Sequence, residues 1–132
     1  MAVKLTKDSI DLGLVVRDAD ASLAFYRDVL GLEDLGERAM PGGTMRRLGC
    51  GTSVLKLVSL KKTPDASAPP GGIPGATGYR YWTMSVSNID EVVAACEAAG
   101  RTIAVPVTEL APGITIAIIE DPDGNWVELL KG

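Results

Sequence analysis

The stretch IDLGLVVRDADASLAFYRDVLGLE, residues 10–33, sets the pattern that the rest of the chain follows. Its first seven residues form a short apolar run rich in β-branched side chains, which predicts a strand. Asp18 or Asp20 can cap a helix, because the apolar residues that come next recur at helical spacing. Gly31 supplies the left-handed residue that ends such a helix. The chain is therefore predicted to open with a strand and a helix.

The same order of elements occurs twice along the sequence. Three strand-like segments follow the first helix, near residues 32–39, 44–49 and 53–60, and Pro-Gly and Gly-rich turns separate them. The sequence then predicts another strand near residues 79–86 and a helix near 88–100, capped by Asn88 or Asp90. Three further strands are predicted near residues 102–107, 114–120 and 125–130. Each half therefore has the order β-α-β-β-β, which indicates an internal repeat.

The segment KKTPDASAPPGGIPGATG, residues 61–78, separates the two halves and contains four prolines and four glycines. Such a composition predicts a linker or an ordered surface loop, and a loop of this length can also act as a lid over a site. We predict a single domain over residues 1–132, with modules at 8–60 and 79–132 joined by this loop.

The composition excludes several classes of function. The chain has 132 residues, 46% of them hydrophobic, and no histidine, which removes the commonest zinc ligand and the usual general base. The net charge of −4 and the scattered basic residues argue against nucleic-acid binding. No apolar run is long enough to span a membrane and no signal peptide is seen, so a cytoplasmic location is expected. Cys50 and Cys96 are expected to be reduced thiols.

The opening stretch, the repeated module and the closing stretch IIEDPDGNWVELL, residues 118–130, resemble the vicinal oxygen chelate superfamily. That superfamily includes glyoxalase, bleomycin-resistance proteins and extradiol dioxygenases. The resemblance implies an α+β fold in which two βαβββ modules form a curled mixed sheet, known as the glyoxalase/bleomycin-resistance/dioxygenase fold. It also implies a cleft for a small-molecule ligand and pairing of two chains as a homodimer.

In metal-dependent members of that superfamily, four strand positions hold the ligands, typically two histidines and two carboxylates. The residues at the corresponding positions of this chain, which are also its catalytic candidates, are Asp11, Lys56, Tyr81 and Glu128. Only Glu128 keeps the usual residue type, and Lys56 would place a positive charge where the metal lies. We therefore expect no metal and no other cofactor.

Strand alternation predicts which side chains accompany these four residues. Because successive side chains point to opposite faces of a sheet, one face of each strand is apolar and the other carries the ionisable residue. The residues predicted to bind substrate on those mixed faces are Trp126, Thr83, Ser85 and Val58. The adjacent Arg46 and Arg47 predict either a solvated face or a contact with an anionic substrate.

Three functions fit these residues. The first is a metal-independent binding protein of the sequestration or resistance type. The second is a metal-free isomerase, epimerase or lyase acting beside a carbonyl, with Glu128 or Asp11 as the base, Tyr81 as the acid and Lys56 stabilising the developing negative charge. The third is a glyoxalase-like lyase that uses a metal held by Asp11 and Glu128. Whether the protein is an enzyme therefore stays open at this stage.

Overall fold

A computed structural model describes residues 2–132 and divides the chain into two compact units, the first ending at Pro64 and the second comprising Asp65–Gly132. Each unit has the predicted order β-α-β-β-β and forms its own four-stranded mixed sheet. The predicted α+β fold with two βαβββ modules is thereby confirmed. None of the helices in residues 2–132 has the length and apolar character needed to cross a bilayer.

The first unit follows the sequence prediction closely. Its elements are β1 (Asp11–Val15), α1 (Ala19–Leu23), a π-helical segment (Ala24–Val29), β2 (Glu33–Met40), β3 (Gly43–Cys50) and β4 (Ser53–Leu60). The sheet has the order β1-β4-β3-β2, with β1 parallel to β4 and the other neighbours antiparallel.

The second unit repeats this topology. Its elements are β5 (Tyr81–Ser85), α2 (Ile89–Ala98), β6 (Ile103–Ala111), β7 (Ile114–Glu120) and β8 (Trp126–Lys131). The sheet has the order β5-β8-β7-β6, again with one parallel pair, between β5 and β8. Each parallel pair is possible because a helix carries the chain from the first strand to the far edge of the sheet, from which the other strands return to pair with it.

The helices cover one face of each sheet and form the core with it. In α2, Ile89, Val93 and Cys96 are buried at positions i, i+4 and i+7, which is the spacing of one helix face. On β4, Lys56 lies between the buried Leu55 and Leu57, and on β8, Glu128 lies between the buried Val127 and Leu129. The apolar face is therefore held against the helix, and the charged residue is directed to the opposite face.

The first helix differs from the sequence prediction in its type. Asp18 caps α1 by accepting a hydrogen bond from the Ala21 N–H at 3.1 Å, but the helix widens into a π-helix after Leu23. The wider turn buries the neighbouring rings of Phe25 and Tyr26, which meet edge to face with centroids 4.7 Å apart. Helical spacing of apolar residues does not distinguish the two helix types, whereas the packing of adjacent aromatic rings does.

The proline- and glycine-rich segment is not uniform. The boundary between the two units falls after Pro64, and a short 3₁₀ turn, Ile73–Gly75, lies within the part that belongs to the second unit. The Arg80 guanidinium donates hydrogen bonds to the carbonyl oxygens of Gly72 at 2.8 Å and Pro70 at 3.3 Å. This part of the segment is therefore an ordered loop tied to the second unit.

Candidate functional site

In the first unit, two of the predicted site residues form an ion pair. The Lys56 Nζ lies 3.2 Å from Asp11 Oδ2, because Lys56 on β4 is paired in register with Gly13 on β1, two residues beyond Asp11. Both side chains are about one-third exposed, at 34% and 33%. A pair this accessible to water contributes little to stability. Its position on the face opposite the core gives it more weight as a candidate binding feature.

A third residue, which the sequence analysis did not single out, completes this cluster. The Lys7 ammonium donates a hydrogen bond to Asp11 Oδ1 at 2.5 Å, so each oxygen of the carboxylate has its own ammonium. The hydrogen bonds from Lys7 and, second, from Lys56 hold the pKa of Asp11 below its usual range. Only the four-residue spacing between Lys7 and Asp11 could have indicated this contact in the sequence.

The lowered pKa of Asp11 predicts a dependence of stability on pH. A carboxyl whose pKa is depressed in the folded state stabilises the protein above its unfolded pKa of about 4, and this contribution is lost as the pH falls through the folded pKa. The melting temperature of the unaltered protein is therefore expected to exceed that of Asp11→Asn at neutral pH, with the difference shrinking below about pH 4. Thermal unfolding followed by circular dichroism from pH 7 to pH 3 measures this. A difference that stays constant over that range would contradict the assignment.

In the second unit, Glu128 is held by a neutral donor. Thr83 is its direct partner on β5, and the Thr83 hydroxyl donates a hydrogen bond to Glu128 Oε1 at 2.8 Å. No ion pair to Glu128 is present within residues 2–132, in contrast to Asp11 in the first unit. The two carboxylates therefore have different surroundings, one neutralised by two ammoniums and one bound to a hydroxyl.

The aromatic residues of the second unit lie beside this carboxylate. Tyr81 and Trp126 are paired in register on β5 and β8, and Tyr81 is 49% exposed. The Trp126 Nε1–H donates a hydrogen bond to Glu120 Oε1 at 3.2 Å, which fixes the indole ring. Gly72 is buried against that ring, since a Cβ at this position would overlap the Trp126 ring atoms. Neither Glu120 nor Gly72 was predicted to lie at the site.

The remaining predicted residues keep to the same faces. Val58 is paired with Val15 two residues beyond the Gly13–Lys56 pair, and Ser85 is paired with Leu130 two residues beyond the Thr83–Glu128 pair. The structure thus brings Asp11 together with Lys56, and Glu128 together with Thr83. Each of these pairs lies within a single unit.

The two cysteines have no features of reactive thiols. Cys96 is buried, Cys50 is half-buried and both are free. Burial raises the pKa of both thiols, which reduces the fraction of the nucleophilic thiolate at neutral pH.

The donor set of the first unit does not suit a divalent metal ion. A metal ligand must offer a free lone pair, whereas the ammonium of Lys56 has none, and each Asp11 oxygen is already paired with a lysine. Across residues 2–132, no three residues of the kinds His, Cys, Asp or Glu come together in an arrangement that could hold a metal ion.

Comparison with known proteins identifies the fold. The family described as the Glyoxalase/Bleomycin resistance protein/Dioxygenase superfamily matches residues 9–129. Comparison with curated protein sequences gives no match.

Solved structures similar to this chain come from several organisms. A glyoxalase family protein from Enterococcus faecalis is 26% identical, with a TM-score of 0.69 and 97% of each chain covered. The trypanothione-dependent glyoxalase I of Leishmania major is also 26% identical, with a TM-score of 0.70, over 92% of this chain and 84% of the other. The glyoxalase family protein APC24694 from Bacillus cereus is 19% identical and shares the fold, with a TM-score of 0.81 over 97% of this chain and 95% of the other.

Proposed function

Since this chain belongs to the Glyoxalase/Bleomycin resistance protein/Dioxygenase superfamily, we propose that it binds a small organic molecule without a catalytic metal. The observation that carries the proposal is the ion pair of Lys56 with Asp11, which occupies two of the positions that correspond to metal ligands in the superfamily. An ammonium at one of these positions repels a cation and neutralises the neighbouring carboxylate.

The second unit by itself offers features that would bind such a molecule. Tyr81 exposes about half of its surface beside Trp126, and aromatic faces stack well on flat or apolar ligands. Thr83 and Glu128 add one hydroxyl and one carboxylate on the same face, where they can orient polar groups of the ligand. The ligand is therefore expected to combine an aromatic or apolar body with polar substituents.

Binding is expected to be independent of metal ions. In a thermal-shift screen of small aromatic compounds, those that raise the melting temperature of the unaltered protein should do so equally with and without EDTA. Ligand binding to the folded state alone raises stability in proportion to the logarithm of the ligand concentration, so the shift should also grow with concentration.

The substitution Lys56→Glu tests whether the ammonium of Lys56 is what prevents a metal ion from binding. It replaces the ammonium with a carboxylate, and Zn²⁺, Ni²⁺ or Mn²⁺ should then raise the melting temperature more than in the unaltered protein. Lys62→Glu makes the same change of charge at an exposed residue of the same unit and should show no gain. Stoichiometric metal in the purified unaltered protein, or loss of ligand binding in EDTA, would overturn the proposal.

The sequence also predicts a metal-free enzyme as an alternative, in which Glu128 removes a proton from a carbon beside a carbonyl. The hydroxyl partner of Glu128 favours this role over an equivalent role for Asp11, because a carboxylate bound by two ammoniums is a weaker base. The predicted catalytic roles, the homodimer and the cytoplasmic location stay predictions.

A further inference from the structure

The adjacent arginines of β3 lie on opposite faces of the first sheet. Arg46 is paired in register with Leu57, whose side chain belongs to the core face, and its guanidinium bonds Asp34 and Glu37 at 3.2 Å. Arg47 is paired with Lys56 instead. Because successive side chains alternate, the two arginines of the sequence pair have separate surroundings and separate roles.

Arg47 and Lys56 belong to a row of residues that crosses all four strands of the first sheet. In strand order the row, here called the cationic row, consists of Gly13 on β1, Lys56 on β4, Arg47 on β3 and Gly36 on β2. Each residue is the register partner of the next. The row therefore places two cations side by side, with a glycine at each end.

The charges of this row are not balanced by the protein. Lys56 shares the single carboxylate of Asp11 with Lys7, and Arg47 is half-buried without an ion pair or hydrogen bond anywhere in residues 2–132. Like charges directly opposite each other on neighbouring strands are unfavourable. Lys7, Lys56 and Arg47 bring three positive charges to this face, and the carboxylates of Asp11 and Glu33 bring two negative ones, since Glu33 lies beside Gly49 in the adjacent row. Positive charge is therefore in excess, and a bound anion would offset it.

The glycines leave room above the row. A Cβ added at Gly13 or at Gly36 would meet no atom within 4 Å, so neither position is packed against another part of the protein. A ligand group can therefore approach the sheet on both sides of the two cations. The planar guanidinium of Arg47 can bind an oxyanion through two parallel hydrogen bonds, and the Lys56 ammonium can add a third.

The corresponding row of the second unit shows that the fold itself does not require cations here. Its residues, in strand order, are Thr83, Glu128, Ile118 and Val105. That row carries one carboxylate and no positive charge, although it occupies the same place in the same topology. The cation pair is therefore a property of the first unit and not of the repeated module.

We propose that the cationic row, through Arg47 and Lys56, binds the anionic group of a small-molecule ligand, a carboxylate or a phosphate. This inference rests on the proposed function and specifies the chemical class of the ligand. The anion would offset the repulsion between the two cations and complete the hydrogen bonding of Arg47.

Three probes with the same aromatic body test this proposal by isothermal titration calorimetry: 2-naphthoate, 2-naphthyl phosphate and the neutral 2-naphthamide. At least one anionic probe is expected to bind the unaltered protein about tenfold more tightly than the amide, which is the size expected for a charge-assisted hydrogen bond. The anionic probe that binds more tightly shows whether the site prefers a carboxylate or a phosphate. Arg47→Gln should remove this advantage, because it should lower the affinity for the anionic probe much more than the affinity for the amide.

Two further variants make the outcome decisive. Lys62→Gln removes one positive charge from an exposed position of the same unit and should keep the preference for the anion. Arg47→Lys keeps the charge but not the paired hydrogen bonds, and should keep part of the preference for the anion. It replaces Arg47→Gln as the test if that variant proves to be unfolded. Equal binding of acid, phosphate and amide to the unaltered protein would overturn the anion site alone, whereas no binding of any probe would overturn the proposed function with it. An equal loss in Lys62→Gln and Arg47→Gln would assign the effect to net charge and contradict the site.

Discussion

Replacing Gly72 by alanine is expected to lower the free energy of unfolding of the second unit by about 3 kcal/mol. Gly72 has φ 62° and ψ −142°, a backbone conformation that side chains other than glycine rarely adopt. An added Cβ would also overlap the indole ring of Trp126. The ring cannot move away freely, because its N–H is bonded to Glu120 on the neighbouring strand.

The loop around Gly72 is equally unable to shift without loss. Arg80 holds the carbonyl oxygens of Gly72 and Pro70, so displacing the loop breaks hydrogen bonds to a charged donor. Either the ring or the loop must move, and both movements are unfavourable. We therefore expect the substitution to alter the surroundings of Trp126 even where the protein stays folded.

Urea unfolding followed by tryptophan fluorescence measures this effect in the second unit, since both tryptophans of the chain lie there. Gly113→Ala is the matched control. Gly113 also has a positive φ, 79°, but a Cβ there meets only open space, so the loss should be about 1 kcal/mol. If the two alanine variants unfold at the same urea concentration, the contact of Gly72 with Trp126 is not tight.

The substitution Asp121→Ala is expected to reduce the free energy of unfolding by about 3 kcal/mol. Asp121 is 5% exposed, and its carboxylate accepts hydrogen bonds from the N–H groups of Asp123 and Asn125 at 2.9 and 2.8 Å and from the Asn125 amide at 3.0 Å. Alanine would leave these part-buried donors without their acceptor, and the turn between β7 and β8 would keep only its backbone hydrogen bonds. The same turn sets the register that places Trp126 opposite Glu120.

Asp65→Ala is the control for the change of charge, because Asp65 is exposed and lies in the same unit. It should change the free energy of unfolding by less than about 0.5 kcal/mol. Chemical unfolding of both variants, followed by circular dichroism, provides the comparison. A small loss in Asp121→Ala would show that water replaces the carboxylate and that the turn is held mainly by its backbone.

The order and type of the elements could be predicted because they depend on local patterns. Alternation of apolar residues marks a strand, and glycine at positions such as Gly31 and Gly100, with φ of 76° and 74°, marks where a helix ends. The repeated pattern extended this prediction to the whole chain. The π-helical segment was not predicted, since the burial of Phe25 and Tyr26 is decided by tertiary packing.

The candidate site could be predicted only in part. Strand alternation placed Lys56 and Glu128 on the face opposite the core, as the burial of their neighbours now shows. The partners of these residues could not be predicted in the same way. Lys7 and Gly72 lie outside the strands, so the alternation of side chains along a strand cannot predict which face they lie on.

The sequence by itself determined the fold, the repeat and the absence of histidine at positions where the superfamily usually has it. The tertiary structure alone decided which charges are compensated. Arg46 and Arg47 are adjacent in the chain, but only the register of β3 with β2 and β4 shows that one is paired with carboxylates and the other faces Lys56. The physical reason is that electrostatic energy depends on distances across strands, whereas the pattern of a sequence reports only the positions along one strand.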